Sequence, residues 1–359
     1  MTADTTEATL CAILAQWFSR PASHDRAEIA ADPAALAALA HKTRTTGLLL
    51  AQGEPPAGTG PEIGPEIVDE ARAYRDWAAR SNLRQLQQIK ELASLFEAAG
   101  VEAVVFKGVA RQTQVYRRLD IRIALDIDLL VPRSQYQRAC LLLREGGYQA
   151  GVPDGSVWWH DYLGEAPFVR FAAPDIRVVV DLHHQLQQPG AAGPRDLGTF
   201  LESATIGAGA RLPVPDPAFG MLITVISFSK GLRNREPWLS YAHELAFQWQ
   251  SMSEVEQRAF LVLAGKQGLS RMTFAALRSA HDVFSLPVPA LVEDSSQASD
   301  RANLQRSACG LDDDRRFLRS RLAWHWTDGP IPARVLRYVK YVAIYRLSER
   351  ARRKEGFGS

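Results

Sequence analysis

Leu125-Asp126-Ile127-Asp128-Leu129-Leu130-Val131 is an apolar, β-prone run carrying two carboxylates two residues apart. Successive side chains of a strand point to opposite faces, so Asp126 and Asp128 emerge together while Ile127 and Leu129 face a core. Their Cα atoms are then roughly 6–7 Å apart. Two parallel carboxylates repel and resist desolvation without a counter-charge. A divalent cation such as Mg²⁺, which takes a few carboxylate oxygens plus substrate phosphate, supplies that charge. Alone, the pattern more often marks a solvated sheet face, so the surrounding sequence has to decide.

Upstream, residues 101–106 read as a short apolar strand that ends at Lys107-Gly108, and residues 109–116 read as a helix. A strand running through Gly into a helix N-terminus offers free backbone N–H groups and a favourable dipole to a phosphate. Neither a P-loop nor a dinucleotide fingerprint is present. Arg117, Arg118 and Arg122 follow. Downstream, Ser134 is the expected N-cap of a helix whose apolar side carries Tyr136, Ala139, Leu142 and Leu143. Gly146-Gly147 stops that helix and Tyr148 begins an extended segment. Residues 168–172 and 177–182 read as a hairpin across Pro174-Asp175. Its second strand delivers Asp181, followed by His183 and His184.

The flanks are helical. Residues 7–20 carry Leu10, Ile13, Leu14 and Trp17 at helical spacing, and residues 34–50 form a second Ala/Leu-rich helix. After a Pro/Gly loop over 53–65, a long amphipathic helix spans 66–99, with Leu83, Leu86, Ile89, Leu92, Leu95 and Phe96 as its core-facing stripe and Gly100 as its stop. Residues 213–217 are a Pro-rich linker. Helices follow over 221–228, 238–249, 254–264 and 272–284. Between the first two, residues 230–235 form a basic loop (Lys-Gly-Leu-Arg-Asn-Arg), read as solvated by default and otherwise as able to reach a triphosphate or an acidic acceptor, and residues 286–301 form a polar, exposed connection. Residues 333–354 form a basic amphipathic helix, read as a terminal helix docking its apolar face rather than a membrane or partner surface. The expected organisation is an N-terminal helical region over 1–99, an α/β unit over 100–212 and a C-terminal helical domain over 213–359.

The 359 residues are too many for one minimal core. A net charge of +2 is too small to imply nucleic-acid or membrane binding by the whole chain, and no basic, aromatic-interleaved stripe lies near the central strands. Cys11, Cys140 and Cys309 are far apart, which speaks against a zinc module or disulfide framework and fits a cytoplasmic protein. Neither a signal peptide nor a membrane span is expected.

Taken in order, Phe106-Lys107-Gly108, Arg122 to Val131, Ala139 to Tyr148 and Asp181-Leu182-His183 resemble the nucleotidyltransferase superfamily with the DNA polymerase β-like palm. They are closest to a bacterial family with the blocks L-K-G, R-x-x-x-D-[IL]-D-L-L-V, A-x-x-x-L-x-x-x-G-Y and D-L-H. A looser similarity takes in His41 and Asn82. The resemblance implies an α+β palm with a mixed sheet between helical regions, and a cleft between palm and C-terminal helices. It implies Mg²⁺-dependent transfer of a nucleoside monophosphate, AMP from ATP, to a small-molecule, peptide or protein acceptor. Asp126, Asp128 and Asp181 would hold two Mg²⁺ ions, for which Mn²⁺ can substitute. Gly108 and its helix would hold the triphosphate, with Lys107 and Arg122 offsetting its charge. For each there is a plainer role: a solvated strand-end lysine for Lys107, an ion pair with Asp126 or Asp128 for Arg122. His183 could orient Asp181, touch base or acceptor, or be structural, and His184 reads as structural. Two departures stand out. Val109 replaces the Ser that often follows Gly108, and His243-Glu244-Leu245-Ala246 replaces an Asp-Leu-Ala signature. The rival reading is a catalytically weak nucleotide-binding or interaction protein.

Overall fold

The computed structural model describes residues 3–15, 32–50, 65–173, 176–187, 193–206, 211–234, 237–284, 286–289 and 328–357. Its centre is a five-stranded mixed sheet in the order β1-β2-β5-β4-β3. The strands are β1 (Val104–Val105), β2 (Ile127–Leu130), β3 (Gln149–Ala150), β4 (Glu165–Ala173) and β5 (Ile176–His183). β2 and β5 run parallel, and every other pairing is antiparallel. The hairpin expected around 168–182 is present and longer than the sequence implied; its turn, residues 174–175, lies outside the described residues.

The two faces of this sheet have different fates. Ile127, Leu129, Val178, Val180, Leu182 and Phe168 share one core with Leu92 and Phe96 of α3 (Pro65–Ala98) and Ala139 and Leu143 of α5 (Tyr136–Glu145). Fully burying side chains of this size contributes about 1.5–3 kcal/mol each. The opposite face carries Leu130, with Val104 paired to it, and these pack into a second core. That second core unites α1 (Ala3–Ala15) and α2 (Pro33–Lys42) with the C-terminal helices α7 (Pro217–Asn234), α8 (Leu239–Ser251), α9 (Glu254–Lys266) and α10 (Ser270–Phe284). The remaining helices are α4 (Gly108–Val115), α6 (Leu197–Glu202) and α11 (Ile331–Lys354).

Several expectations need correction. α2 stops at Lys42, not Leu50. The Thr43 hydroxyl donates to the Leu39 and Ala40 carbonyls, Arg44 turns left-handed (φ 58°), and a 3₁₀ turn follows over Thr46–Leu48. Leu83 is 56% exposed, because the buried line of α3 runs through Ala78, Asn82, Ile89, Ala93 and Phe96, one residue out of phase with it. Gly100 does end α3: it is left-handed (φ 62°), and Val101 N–H donates to Phe96 O while Gly100 N–H donates to Glu97 O. Ser134 is not an N-cap; it sits in a 3₁₀ turn over Arg133–Gln135 that leads into α5. Lys230 is not in a loop either, since α7 continues through Asn234. Pro213 and Val214 are tied to the palm, where Val105 N–H donates to Pro213 O at 3.0 Å and Val214 bridges Thr205. Trp17 and most of residues 286–301 lie outside the described residues.

Candidate active site

The stretch that leads into β2 is held from several sides. Asn82, buried in α3, donates to the carbonyls of Leu119 (2.6 Å) and Arg122 (2.8 Å) and accepts from Ala124 N–H (2.9 Å). Gln85 donates to Ala124 O at 2.6 Å, and Gln112 of α4 accepts from Arg122 N–H at 2.8 Å while donating to Arg122 O. Irregular backbone that is buried must find side-chain partners, and here they also fix where Asp126 emerges. Asp126 itself lies at a bend just before β2, so strand alternation places only Asp128.

β2 and β5 set Asp128 directly beside Asp181, and His183 follows on the same face of β5. Glu165, at the start of β4, pairs with His183 across the antiparallel ladder. Asp128, Asp181 and His183 each offer a ligand atom, and these atoms lie within 4.8 Å of one another. His183 Nε2 is 3.3 Å from Asp128 Oδ1, and its Nδ1 is 3.2 Å from Glu165 Oε2. Lys107 Nζ stands 3.6 Å from the same Asp128 oxygen and 4.9 Å from the Phe106 ring centroid.

Burial opposes ionisation of Asp128, but Lys107, His183 and, from α7, Lys230 outweigh it and hold this carboxyl below its ordinary range. Its neighbours are pushed the other way. Burial, then repulsion from Asp128, raises Asp126. Burial, then repulsion from Asp126 and Asp128, pushes Asp181 up to about 7. Lys107 is raised: burial alone would lower it, and the charge of Asp128 prevails. Three carboxylates forced apart in this way are short of positive charge, and a divalent cation would redress it. The donors present fit one: two carboxylates, and a buried imidazole Nε2 that makes no hydrogen bond among the described residues.

Lys107 ends β1's extension and Gly108 opens α4. Gly108 is left-handed (φ 63°), and a Cβ there would come to 3.3 Å from Asp126 O, so only glycine brings this helix N-terminus so close to the acidic segment. Val109 points into the palm core, which leaves the backbone N–H groups as the anion donors there.

The facing wall is also charged. Glu244 of α8 lies 3.7 Å from Arg111 and 3.8 Å from Arg122, and accepts from the Thr224 hydroxyl at 2.8 Å. Arg111 donates to Gln248 Oε1 at 2.6 Å and also bonds Gln114. Gly220 leaves room for the Arg111 guanidinium, which any Cβ would strike. Arg122 stacks over Tyr241 at 5.2 Å and pairs with Glu244, not with Asp126 or Asp128. Nearby, burial pushes His243 down to about 3.

Between these walls lies a cavity of about 500 Å³. Lys107, Gly108, Asp126 and Asp128 line it from the palm, and Thr224, Ser227, Tyr241 and Glu244 from the C-terminal helices. The N-terminal helices, not expected here, add His41, Lys42, Arg44, Tyr74 and Trp77, the last 47% exposed. Of the residues named from sequence, Lys107, Gly108, Arg122, Asp126 and Asp128 line the cavity, and Asp181 and His183 stand beside Asp128; Lys230 was named only as part of a basic loop, and Glu165 and Arg111 were not named. Sequence reading assigned Glu244 no firm role. His184 is structural: its Nε2 bonds the His160 carbonyl at 2.7 Å and its ring packs against Tyr136.

A mixed sheet with carboxylates on adjacent strands, beside a strand–Gly–helix turn, defines a nucleotidyltransferase palm. The sequence model of the family described as uncharacterised nucleotidyltransferase matches residues 30–285, and the chain belongs to that family. The match takes in all five strands and α2 through to α10. No curated protein and no solved structure matches the chain. No helix among the described residues is long and apolar enough to cross a membrane.

Proposed function

We propose that the protein transfers a nucleoside monophosphate, AMP from ATP, to a small-molecule, peptide or protein acceptor and releases pyrophosphate. The observation that carries this reading is the Asp128–Asp181 pair beside the Lys107–Gly108 helix start, with Asp128, Lys107 and Gly108 lining one cavity and Asp181 set next to Asp128. Positioning and charge neutralisation dominate such chemistry. The α4 N-terminus, Lys107 and Arg122 grip the triphosphate, Arg122 being suited to bidentate contact. Asp128 and Asp181, with Asp126 alongside, would hold Mg²⁺, which when bound would neutralise the phosphates and make the acceptor hydroxyl more acidic. The acceptor oxygen bonds the α-phosphorus as the bond to the bridging oxygen breaks and pyrophosphate leaves. The acceptor proton passes to the carboxylate cluster, with Asp181 favouring its removal.

The test is a thermal-shift panel of the four NTPs with and without Mg²⁺, followed by pyrophosphate release with candidate acceptors. Stabilisation by an NTP that needs the metal and disappears in Asp126→Ala/Asp128→Ala supports the reading. No shift with any NTP refutes it. The buried Val109, where a Ser would touch nucleotide, favours a second reading: a nucleotide-binding protein without turnover. Binding without pyrophosphate release in cell-extract fractions would establish that one instead.

A further inference from the structure

We infer that the cation site is a mixed oxygen–nitrogen site, in which His183 Nε2 is a ligand beside Asp128 and Asp181, and that it selects Mn²⁺ over Mg²⁺. The inference rests on the proposed function only for what the bound cation does, not for where it binds. Three observations carry it. The first is convergence. The β2–β5 register sets Asp128 against Asp181, and His183 is two residues on, with all three ligand atoms inside 4.8 Å. With metal–ligand bonds of about 2.0–2.2 Å the ligand atoms of one ion stand no more than about 4.4 Å apart, so these side chains need to close by only a few tenths of an ångström for one ion to touch all three.

The second is an orphan atom. His183 Nε2 is buried and makes no hydrogen bond among the described residues; its 3.3 Å approach to Asp128 lacks hydrogen-bond geometry. A buried polar atom left without a partner costs stability unless a ligand takes it up. An imidazolium bridging two carboxylates would need an Nε2–H aimed at that oxygen, which Lys107 already neutralises from 3.6 Å. The third is the other ring nitrogen. Nδ1 lies 3.2 Å from Glu165 Oε2, and Glu165 is the cross-strand partner of His183. The charge of Glu165 beside Nδ1 favours the ring proton on that nitrogen and leaves the Nε2 lone pair to face the carboxylates, as in histidines that bind metals. The Phe106 ring packs edge-on against the imidazole at 5.1 Å and fixes its plane.

The cation follows from the donors. Mg²⁺ prefers oxygen and keeps much of its water. Imidazole nitrogen shifts preference toward first-row transition ions, of which Mn²⁺ best tolerates accompanying carboxylates and phosphate. Lys107 is partly exposed and can swing from Asp128 to a triphosphate when the ion arrives.

The experiment titrates the cation-free full-length protein with MnCl₂ and MgCl₂ by calorimetry and records the electron spin-echo spectrum of bound Mn²⁺. Wild type should bind Mn²⁺ at least about tenfold tighter than Mg²⁺, with nitrogen modulation from one histidine. His183→Gln should erase that modulation and weaken Mn²⁺ at least about tenfold, while Mg²⁺ changes less than about threefold. Glu165→Gln should weaken Mn²⁺ by about 10–100-fold with the modulation retained. Equal Mn²⁺ and Mg²⁺ affinity, or no nitrogen coupling in wild type, overturns the inference even if His183→Gln does not fold. Mn²⁺ held through nitrogen in a protein that releases no pyrophosphate from any NTP sinks the proposed function and leaves this inference standing. Mg²⁺-supported transfer without nitrogen coupling does the reverse.

Discussion

The cavity has two charged walls, and they are built on opposite principles. On the helical wall Glu244 sits between Arg111 and Arg122 and accepts from Thr224, and Gln248 accepts from Arg111. Each charge there faces an opposite one, although Arg111 Nε makes no hydrogen bond among the described residues. On the palm wall Asp126, Asp128 and Asp181 crowd together against Lys107, with His183 and Lys230 nearby, and two of the three carboxylates are driven upward. A folded protein has no structural reason to keep such a cluster, because buried like charges cost stability. The contrast separates a wall whose charges are already paired from one that waits for a ligand. It can be broken by mutation, beginning where the effect is largest.

Glu244→Gln should unfold the helical wall's logic. It leaves Arg111, 3% exposed, without an ion-pair partner among the described residues, Asp216 acting on it only at longer range. Removing one member of a buried ion pair costs about 3–5 kcal/mol, which urea denaturation followed by circular dichroism measures. A loss under about 1 kcal/mol would mean that Gln248 and Gln114 satisfy Arg111 unaided. Asp181→Asn should do the opposite. Activity should fall at least about a hundredfold, since even groups that merely orient metal ligands are worth 10–100-fold. The melting temperature should hold or rise, because a repelled carboxylate has been neutralised. Loss of activity together with a lower melting temperature would make the palm cluster structural. Lys107→Met is a milder probe of the same wall. It removes one point charge from the triphosphate and should raise KM for ATP about tenfold, with kcat less affected. An unchanged KM would return Lys107 to the role of counter-ion for Asp128 alone.

The palm wall was largely legible in the sequence and the helical wall was not, for physical reasons. Asp128, Lys107 and Gly108 lie within or beside short local patterns whose geometry follows from strand alternation and helix starts. Asp181 needed the β2–β5 pairing, which the family resemblance implied before any register could be counted. Glu165 depended on a bulge: the irregularity between Phe171 and Ala173 shifts the β4–β5 register by one residue. A regular hairpin closed at 174–175 would have set Glu165 beside His184 and turned it to the other face. Arg111 and Glu244 are 133 positions apart in sequence, on helices α4 and α8 that share no local pattern. Only tertiary packing brings them together. Lys230 was misplaced because Gly231 and the basic run look like a loop, whereas α7 is buried along much of its length and packing overrides the local glycine penalty.

The walls should also respond oppositely to pH, and this is the smallest effect. Asp181, facing Asp126, Asp128, His183 and Glu165, is raised to about 7 in the folded chain. Between about pH 4 and 7 it is protonated when folded and ionised when unfolded, so its contribution is full below the unfolded value and is lost as pH rises. His243, packed on Tyr116 and Phe284, is held down to about 3 by burial. Its contribution is present above about 6.5 and is lost as pH falls toward 3. Each has a limiting slope of about 1.4 kcal/mol per pH unit, and the signs oppose. In the cation-free wild type the two therefore offset each other between about pH 4.5 and 6. Asp181→Asn removes one side, so its stability should fall by about 1 kcal/mol per pH unit relative to wild type on acidification through that window. Parallel pH profiles for the two proteins, measured by urea midpoints, would show that Asp181 titrates normally and that the palm wall is not short of positive charge. Saturating Mn²⁺ should sharpen the contrast, since a bound cation keeps Asp181 ionised in the folded state and makes the metal-dependent stabilisation grow with pH.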